Sequence, residues 1–85
     1  MLEVKLSNNA KKFLKNAEHD VYDRIMHRID SLKINPIPQD AKTIQGSSNR
    51  VFRVRAGKNR ILYEIYSSEN YILVVKIDKR EKVYD

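Results

Sequence analysis

Apolar and polar positions alternate with period two at both ends of the chain, and with helical spacing between them. Leu2, Val4 and Leu6 alternate with Glu3 and Lys5, which predicts a short first strand. Ser7, Asn8 and Asn9 can each accept a hydrogen bond from the free N–H groups of a first helical turn, so a helix is expected to start there. Ala10, Phe13, Leu14 and Ala17 then recur at helical spacing, with Lys11, Lys12 and Lys15 on the other side. A second stripe runs through Val21, Tyr22, Ile25, Met26, Ile29 and Leu32, with Asp20 as the expected cap. Asn35-Pro36 ends it, because a residue before proline is pushed out of the helical region. The two helices, separated by Glu18-His19, read as an antiparallel hairpin whose apolar stripes need a common surface.

Later strands supply that surface. Asn35 to Asp40 is a stiff loop with two prolines, and Ala41 to Ile44 is a short extended or turn segment with Ile44 as its core contact. Gly46-Ser47-Ser48-Asn49 has turn chemistry. Val51 to Tyr66 reads as two strands joined at Gly57-Lys58-Asn59, each with an apolar side and a side that carries arginine. Ser67-Ser68-Glu69-Asn70 makes the next turn. Tyr71 to Ile77 is the most apolar stretch and is expected to be a central strand buried on both faces. A charged tail, Asp78 to Asp85, follows. The order β-α-α-β-β-β implies one α+β domain over residues 1–85, a two-helix hairpin packed on one face of a small antiparallel sheet. The arginine side of the hairpin would line the open face.

Charge sharpens this picture. Seventeen basic and eleven acidic residues give +6. Residues 1–49 hold eight basic and six acidic groups and residues 50–85 hold nine and five, so most of the excess lies in the part that reads as sheet. A basic sheet suits an anionic partner, nucleic acid first, although net charge also serves solubility. The start, MLEVKLSNNAKK, has no apolar run of the signal-peptide kind, and no stretch approaches a membrane span, so a soluble cytoplasmic protein with no membrane partner is expected.

Cysteine is absent, which excludes disulfide and thiolate chemistry. His19 and His27 stand eight apart without a metal-ligand pattern and read as surface histidines, so no metal or cofactor is expected. There is no glycine-rich phosphate loop, and the serine pairs read as turns rather than nucleophile elbows. What remains is Arg53, Arg55, Lys58 and Arg60, then Lys79, Arg80, Lys82 and Tyr84. Arginine holds phosphate oxygens in a bidentate fork but cannot shuttle protons. Tyr84 can, if neighbouring cations lower its pKa. On the residues alone, two readings stand for this set: a solvated strand face with a frayed terminal tyrosine, or a phosphate site.

The segments NPIPQDAKTIQGSSNRVFRVRAGKNRILYEI and VVKIDKREKVYD resemble the RelE/ParE superfamily of toxins from toxin–antitoxin pairs, and the RelE branch within it. The pattern is a proline loop, A-K-x-(I/L)-x-G, a V-(F/Y)-R-(V/I)-R strand, R-(I/L)-x-Y-x-(I/V) and a closing K-R-x-x-V-Y. Each part is weak and the combination is specific. The resemblance implies a single RelE-like domain. It also implies a metal-independent endoribonuclease that cuts messenger RNA in the ribosomal A site through the RNA's own 2′-hydroxyl. It implies partners: the ribosome and messenger RNA, and a cognate RelB-like antitoxin that lays an extended segment and a helix around the toxin. Carried over by position, Arg60, Arg80 and Tyr84 would be catalytic. Arg60 would stabilise the pentavalent phosphate, Arg80 would lie near the scissile group, and Tyr84 would stack on a base and move a proton. Arg53, Arg55, Lys58, Lys79 and Lys82 would hold RNA.

Two departures from the family pattern matter. Relatives often carry lysine at the positions of Arg53 and Arg55, which shifts proton transfer toward Tyr84. Many carry a glycine and a histidine or lysine at the positions of Asp78 and Lys79, so Asp78 adds negative charge beside the site. A ParE-like inhibitor that binds DNA gyrase and a non-catalytic RNA-binding domain are the alternatives.

Overall fold

The computed structural model describes residues 1–44 and 51–79. The elements are strand β1 (Glu3–Leu6), helices α1 (Asn8–Asn16) and α2 (His19–Ile34), and strands β2 (Lys42–Thr43), β3 (Phe52–Ala56), β4 (Asn59–Tyr66) and β5 (Tyr71–Lys79). They form one five-stranded sheet in the order β1-β5-β4-β3-β2. The expected α+β order holds, with β2 as an additional short edge strand from the Ala41–Ile44 segment. Strands β2 to β5 form an antiparallel meander, and β1 joins β5 in parallel, which makes the sheet mixed.

Both helices cover one face. Ala10 and Leu14 of α1 and Ile25, Ile29 and Leu32 of α2 pack on Val54, Ala56, Ile61, Tyr63, Ile72, Val74 and Ile77. Strand alternation explains the choice of face, since the cross-strand partners Val54↔Ile61, Ile61↔Ile77 and Tyr63↔Val74 all point inward. The ladder of β4 and β5 shifts between Leu62 and Tyr63, and that irregularity changes the phase of β5. Strand β5 is therefore not buried on both faces, as its apolar run suggested. It buries Ile72, Val74 and Ile77 and leaves Lys76 exposed on the far side.

The termini of the helices are tied to the sheet. Ser7 caps α1 by accepting from the Ala10 N–H at 3.1 Å, and its hydroxyl donates to the Val75 carbonyl at 2.6 Å. Asn9 Oδ1 accepts from the Ile77 N–H at 3.3 Å, which satisfies β5 where β1 has ended. The expected cap Asp20 instead lies in the first turn of α2, and the cap position is Glu18 with no side-chain bond. A carboxylate there still favours the positive helix end. Helix α2 stops at Ile34, with Asn35 extended before Pro36. Arg28 pairs with Asp40 across the proline loop, and that hydrogen bond holds the Asp40 carboxyl below the usual carboxylate range.

Tyr63 joins the core to the same loop. Its ring is fully buried, stacks on Phe52 with centroids 5.7 Å apart, and its hydroxyl donates to the Pro36 carbonyl at 2.6 Å. Burial pushes its pKa up to about 12. The folded state thus holds this proton more tightly than the unfolded chain, whose tyrosine titrates near 10. Its contribution is full below about pH 10 and is lost as pH rises toward about 12. Tyr63→Phe is expected to cost about 1–2 kcal/mol at neutral pH through the lost hydroxyl bond. It should also flatten the alkaline fall in stability, which denaturant melts at stepped pH would measure.

Candidate nucleic-acid interface

Among the described residues, the second face of the sheet carries no helix. Its geometry follows from the β3–β4 hairpin. Ala56 pairs with Asn59, so the loop is Gly57-Lys58, and Gly57 alone of the two has positive φ (+64°), as a II′ turn requires. A Cβ at Gly57 would also lie 2.7 Å from an Arg24 guanidinium nitrogen, which that flexible side chain can yield, so it is the positive φ that calls for glycine. This turn fixes the register, and the register fixes which side chains share the open face.

Two rows of charge result. In the row nearest the turn, Arg55 of β3 stands opposite Arg60 of β4, and Arg60 stands opposite Asp78 of β5. In the next, Lys42 of β2, Arg53 of β3, Leu62 of β4 and Lys76 of β5 are cross-strand neighbours. These rows hold five cations against one carboxylate. Like charges directly opposite repel, so the Arg55–Arg60 pair costs stability unless an anion lies between or beside them. Asp78 is such an anion: Arg60 Nε donates to Oδ1 at 3.1 Å and Nη2 to Oδ2 at 2.9 Å, and Lys76 Nζ lies 3.8 Å from Oδ2. The Arg60 and Asp78 side chains are 19% and 24% exposed, so the pair is partly shielded from water.

The expected residues divide. Arg53, Arg55 and Arg60 share the open face as expected. Arg53 is only 9% exposed, which leaves little of it to meet an incoming phosphate, whereas Arg55 is exposed. Lys58 and Lys79 are not in these rows. With Lys12, Arg24 and Asn59 they line a groove of about 770 Å³ where α1, α2 and the end of the sheet meet. For Lys79 the reason is parity: it pairs with the inward Asn59, one residue past the outward Asp78. Arg80, Lys82 and Tyr84 lie outside the described residues. Lys42 and Lys76, which complete the basic rows, were not among the expected residues. The signal for Lys76 was present, since it stands two positions before Asp78 on the same side of a strand.

Further along the open face the character changes. Tyr66 and Tyr71 stack at 4.7 Å, with Lys5 Nζ 4.0 Å from the centre of the Tyr71 ring. The Tyr66 hydroxyl donates to Glu64 at 2.9 Å, and that bond holds its pKa above the ordinary value. Tyr66 is thus poorly suited to release a proton at neutral pH. Arginine-rich rows of this kind can bind and stabilise a phosphate, and a proton carrier must come from elsewhere.

Comparison with known proteins gives a consistent picture. Residues 4–84 match the family described as the ParE toxin of the type II toxin–antitoxin system parDE. The protein named "Putative toxin RelE1" of Methanocaldococcus jannaschii is 34% identical over 84 residues, which cover 95% of this chain and 92% of that one. The fold is similar to a chain of the archaeal RelE–RelB complex from Pyrococcus horikoshii OT3, with TM-score 0.82 and 22% identity over 96% of this chain and 98% of that one. It is also similar to the isolated E. coli RelE toxin, with TM-score 0.79 and 14% identity over 98% and 88% of the two chains.

Proposed function

We propose, from the premise that this chain belongs to the RelE/ParE superfamily of type II toxins, that it is a ribosome-dependent endoribonuclease of the RelE kind. The observation that carries this reading is the row Arg55–Arg60 on the sheet face opposite the helices, with Lys42 and Lys76 in the next row. A phosphodiester laid across these strands meets guanidinium groups already held at strand spacing.

The chemistry uses the RNA's own 2′-oxygen. It attacks the adjacent phosphorus, the bond from phosphorus to the 5′-oxygen breaks, and the products are a 2′,3′-cyclic phosphate and a 5′-hydroxyl. One proton leaves the 2′-hydroxyl and one reaches the 5′-oxygen. Arg60 holds the equatorial oxygens of the pentavalent phosphate, and the exposed Arg55 steers the backbone while the buried Arg53 adds positive charge beneath the face. Arg80 as a second phosphate ligand and Tyr84 as the proton carrier enter on sequence grounds, as does Lys82 as an RNA contact. Lys11, Lys12 and Lys15 are exposed on α1 and α1 faces away from the basic rows, so contacts with ribosomal RNA fit there. A cognate antitoxin related to RelB is the expected partner, since RelE chains of this fold have been solved in RelE–RelB complexes.

The matching family description supports a second reading, a ParE-like toxin that acts by binding DNA gyrase. The two separate in one pair of assays. Purified protein is expected to cut messenger RNA on programmed ribosomes and to leave gyrase supercoiling untouched. Blocked supercoiling with intact messenger would favour the second reading.

A further inference from the structure

We propose that Asp78 occupies the phosphate seat of Arg60 in the free protein, and that RNA binds there by displacing this carboxylate onto Lys76. The inference rests on the reading of Arg60 as a phosphate ligand and adds a residue that controls it. A carboxylate and a phosphodiester each carry one negative charge and present two oxygens to the same guanidinium fork. Asp78 fills the Nε–Nη2 edge of that fork, with Nε at 3.1 Å and Nη2 at 2.9 Å. An anion that takes this same edge must exchange with Asp78.

The surroundings suit an exchange. Lys76 is 52% exposed and already lies 3.8 Å from Asp78 Oδ2, so the released carboxylate has a cation to follow. Without one, it would remain beside the phosphate and repel it. While Asp78 is seated, it offsets the repulsion between Arg55 and Arg60, directly opposed across β3 and β4. It also fixes the plane of the Arg60 guanidinium from the neighbouring strand. Asp78 is thus a positioning residue as well as a competitor.

The competition is selective. A ground-state phosphodiester matches the charge of Asp78 and gains little by replacing it. The pentavalent phosphate carries a second negative charge and gains more. Releasing Asp78 costs the same in both cases, so the exchange goes further toward completion with the pentavalent phosphate than with bound RNA.

Binding of a non-cleavable 2′-deoxy oligonucleotide to the full chain tests this. Asp78→Asn is expected to bind about tenfold tighter than wild type, the scale of one charge-assisted hydrogen bond returned to the ligand. Glu64→Gln removes a charge from the same face about 13 Å along β4, beyond the screening length at moderate salt, and is expected to gain no more than about twofold. Equal gains in the two variants, or no gain in Asp78→Asn, would overturn the proposal. Arg60→Ala separates the layers. If it binds as tightly as wild type, Arg60 is not a phosphate ligand and the underlying reading fails. If it binds weakly while Asp78→Asn gains nothing, only the role of Asp78 fails. The unmodified protein gives a second readout: the Asp78 carboxyl carbon and Arg60 Nε–H resonances should move together during titration with the oligonucleotide. An Asp78 signal that stays fixed would also overturn the exchange.

Discussion

Arg60→Ala is expected to lower the single-turnover rate of messenger cleavage on programmed ribosomes by about 10²- to 10³-fold, the usual cost of removing one preorganised donor to a developing oxyanion. The Gly57-Lys58 turn sets Arg55 opposite Arg60, and the β4–β5 ladder sets Arg60 opposite Asp78. Arg60 is thus held from both sides, and its fork is oriented before substrate arrives. The variant loses this fork and also leaves Asp78, 24% exposed, near the phosphate without its guanidinium. Rate and stability should therefore both fall. Thermal melts separate the two, because a residue that only braced the sheet would lower the melting temperature and leave the rate of the folded fraction intact. A rate within threefold of wild type in folded protein would remove Arg60 from the chemistry.

Ile25→Ala carries the largest expected effect on stability. Ile25 is fully buried where α2 meets the sheet, beside the equally buried Ile29 and Leu32. Truncation removes the transfer free energy of the lost carbons and leaves a cavity among residues that can close on it only in part, at a cost of about 2–5 kcal/mol. A domain of 85 residues has a total stability of roughly 4–13 kcal/mol, so the loss approaches the whole of a marginal fold. Equilibrium denaturation should show a lower midpoint with little change in slope. Tyr22→Ala, on the same helix but 42% exposed, is expected to stay within about 0.5 kcal/mol of wild type. Similar losses in the two variants would contradict the assigned face of α2.

These two expectations differ in how far the sequence alone could have led to them. The face of α2 was legible, because its apolar stripe has a period that only a helix satisfies, and all of it but the exposed Tyr22 packs into the core. The hairpin was legible for the same kind of reason: period two on both sides of a glycine that must take positive φ. Arg53, Arg55 and Arg60 therefore reach one face without any knowledge of the rest of the chain. What could not be read depends on contacts distant in sequence. The parallel pairing of β1 with β5 joins residues 68 apart, such as Glu3 and Tyr71, and nothing local distinguishes it from an antiparallel edge. The shift in the β4–β5 ladder, which lets Ile72, Val74 and Ile77 all point inward, has no local signal. Lys79 follows Asp78 closely in sequence, yet strand parity puts it on the other side of the sheet. Asp78 itself was visible as a departure from the family pattern, but its bidentate contact with Arg60 required the register of two strands.

The relation between the two sides of the molecule also follows from this geometry. The helices bury the middle of one face of the sheet, so the other is free to be polar at little cost to the core. A meander of short strands places cations from β2, β3, β4 and β5 side by side, where a single helix would spread them around its axis. The resulting surface is charged and open, and its shape suits an extended polyanion better than a small molecule. Its chemistry is incomplete without a proton carrier, which is why Tyr84 matters to the account as much as the arginines do.

The most direct measurement maps the ends produced when the purified protein meets ribosomes stalled on a messenger with a defined A-site codon, in the presence of a chelator. The account predicts a cut within that codon, a 5′-hydroxyl on the downstream fragment and a cyclic or 3′-phosphate on the upstream one. An uncut messenger, or a downstream fragment that begins with a 5′-phosphate, would contradict it.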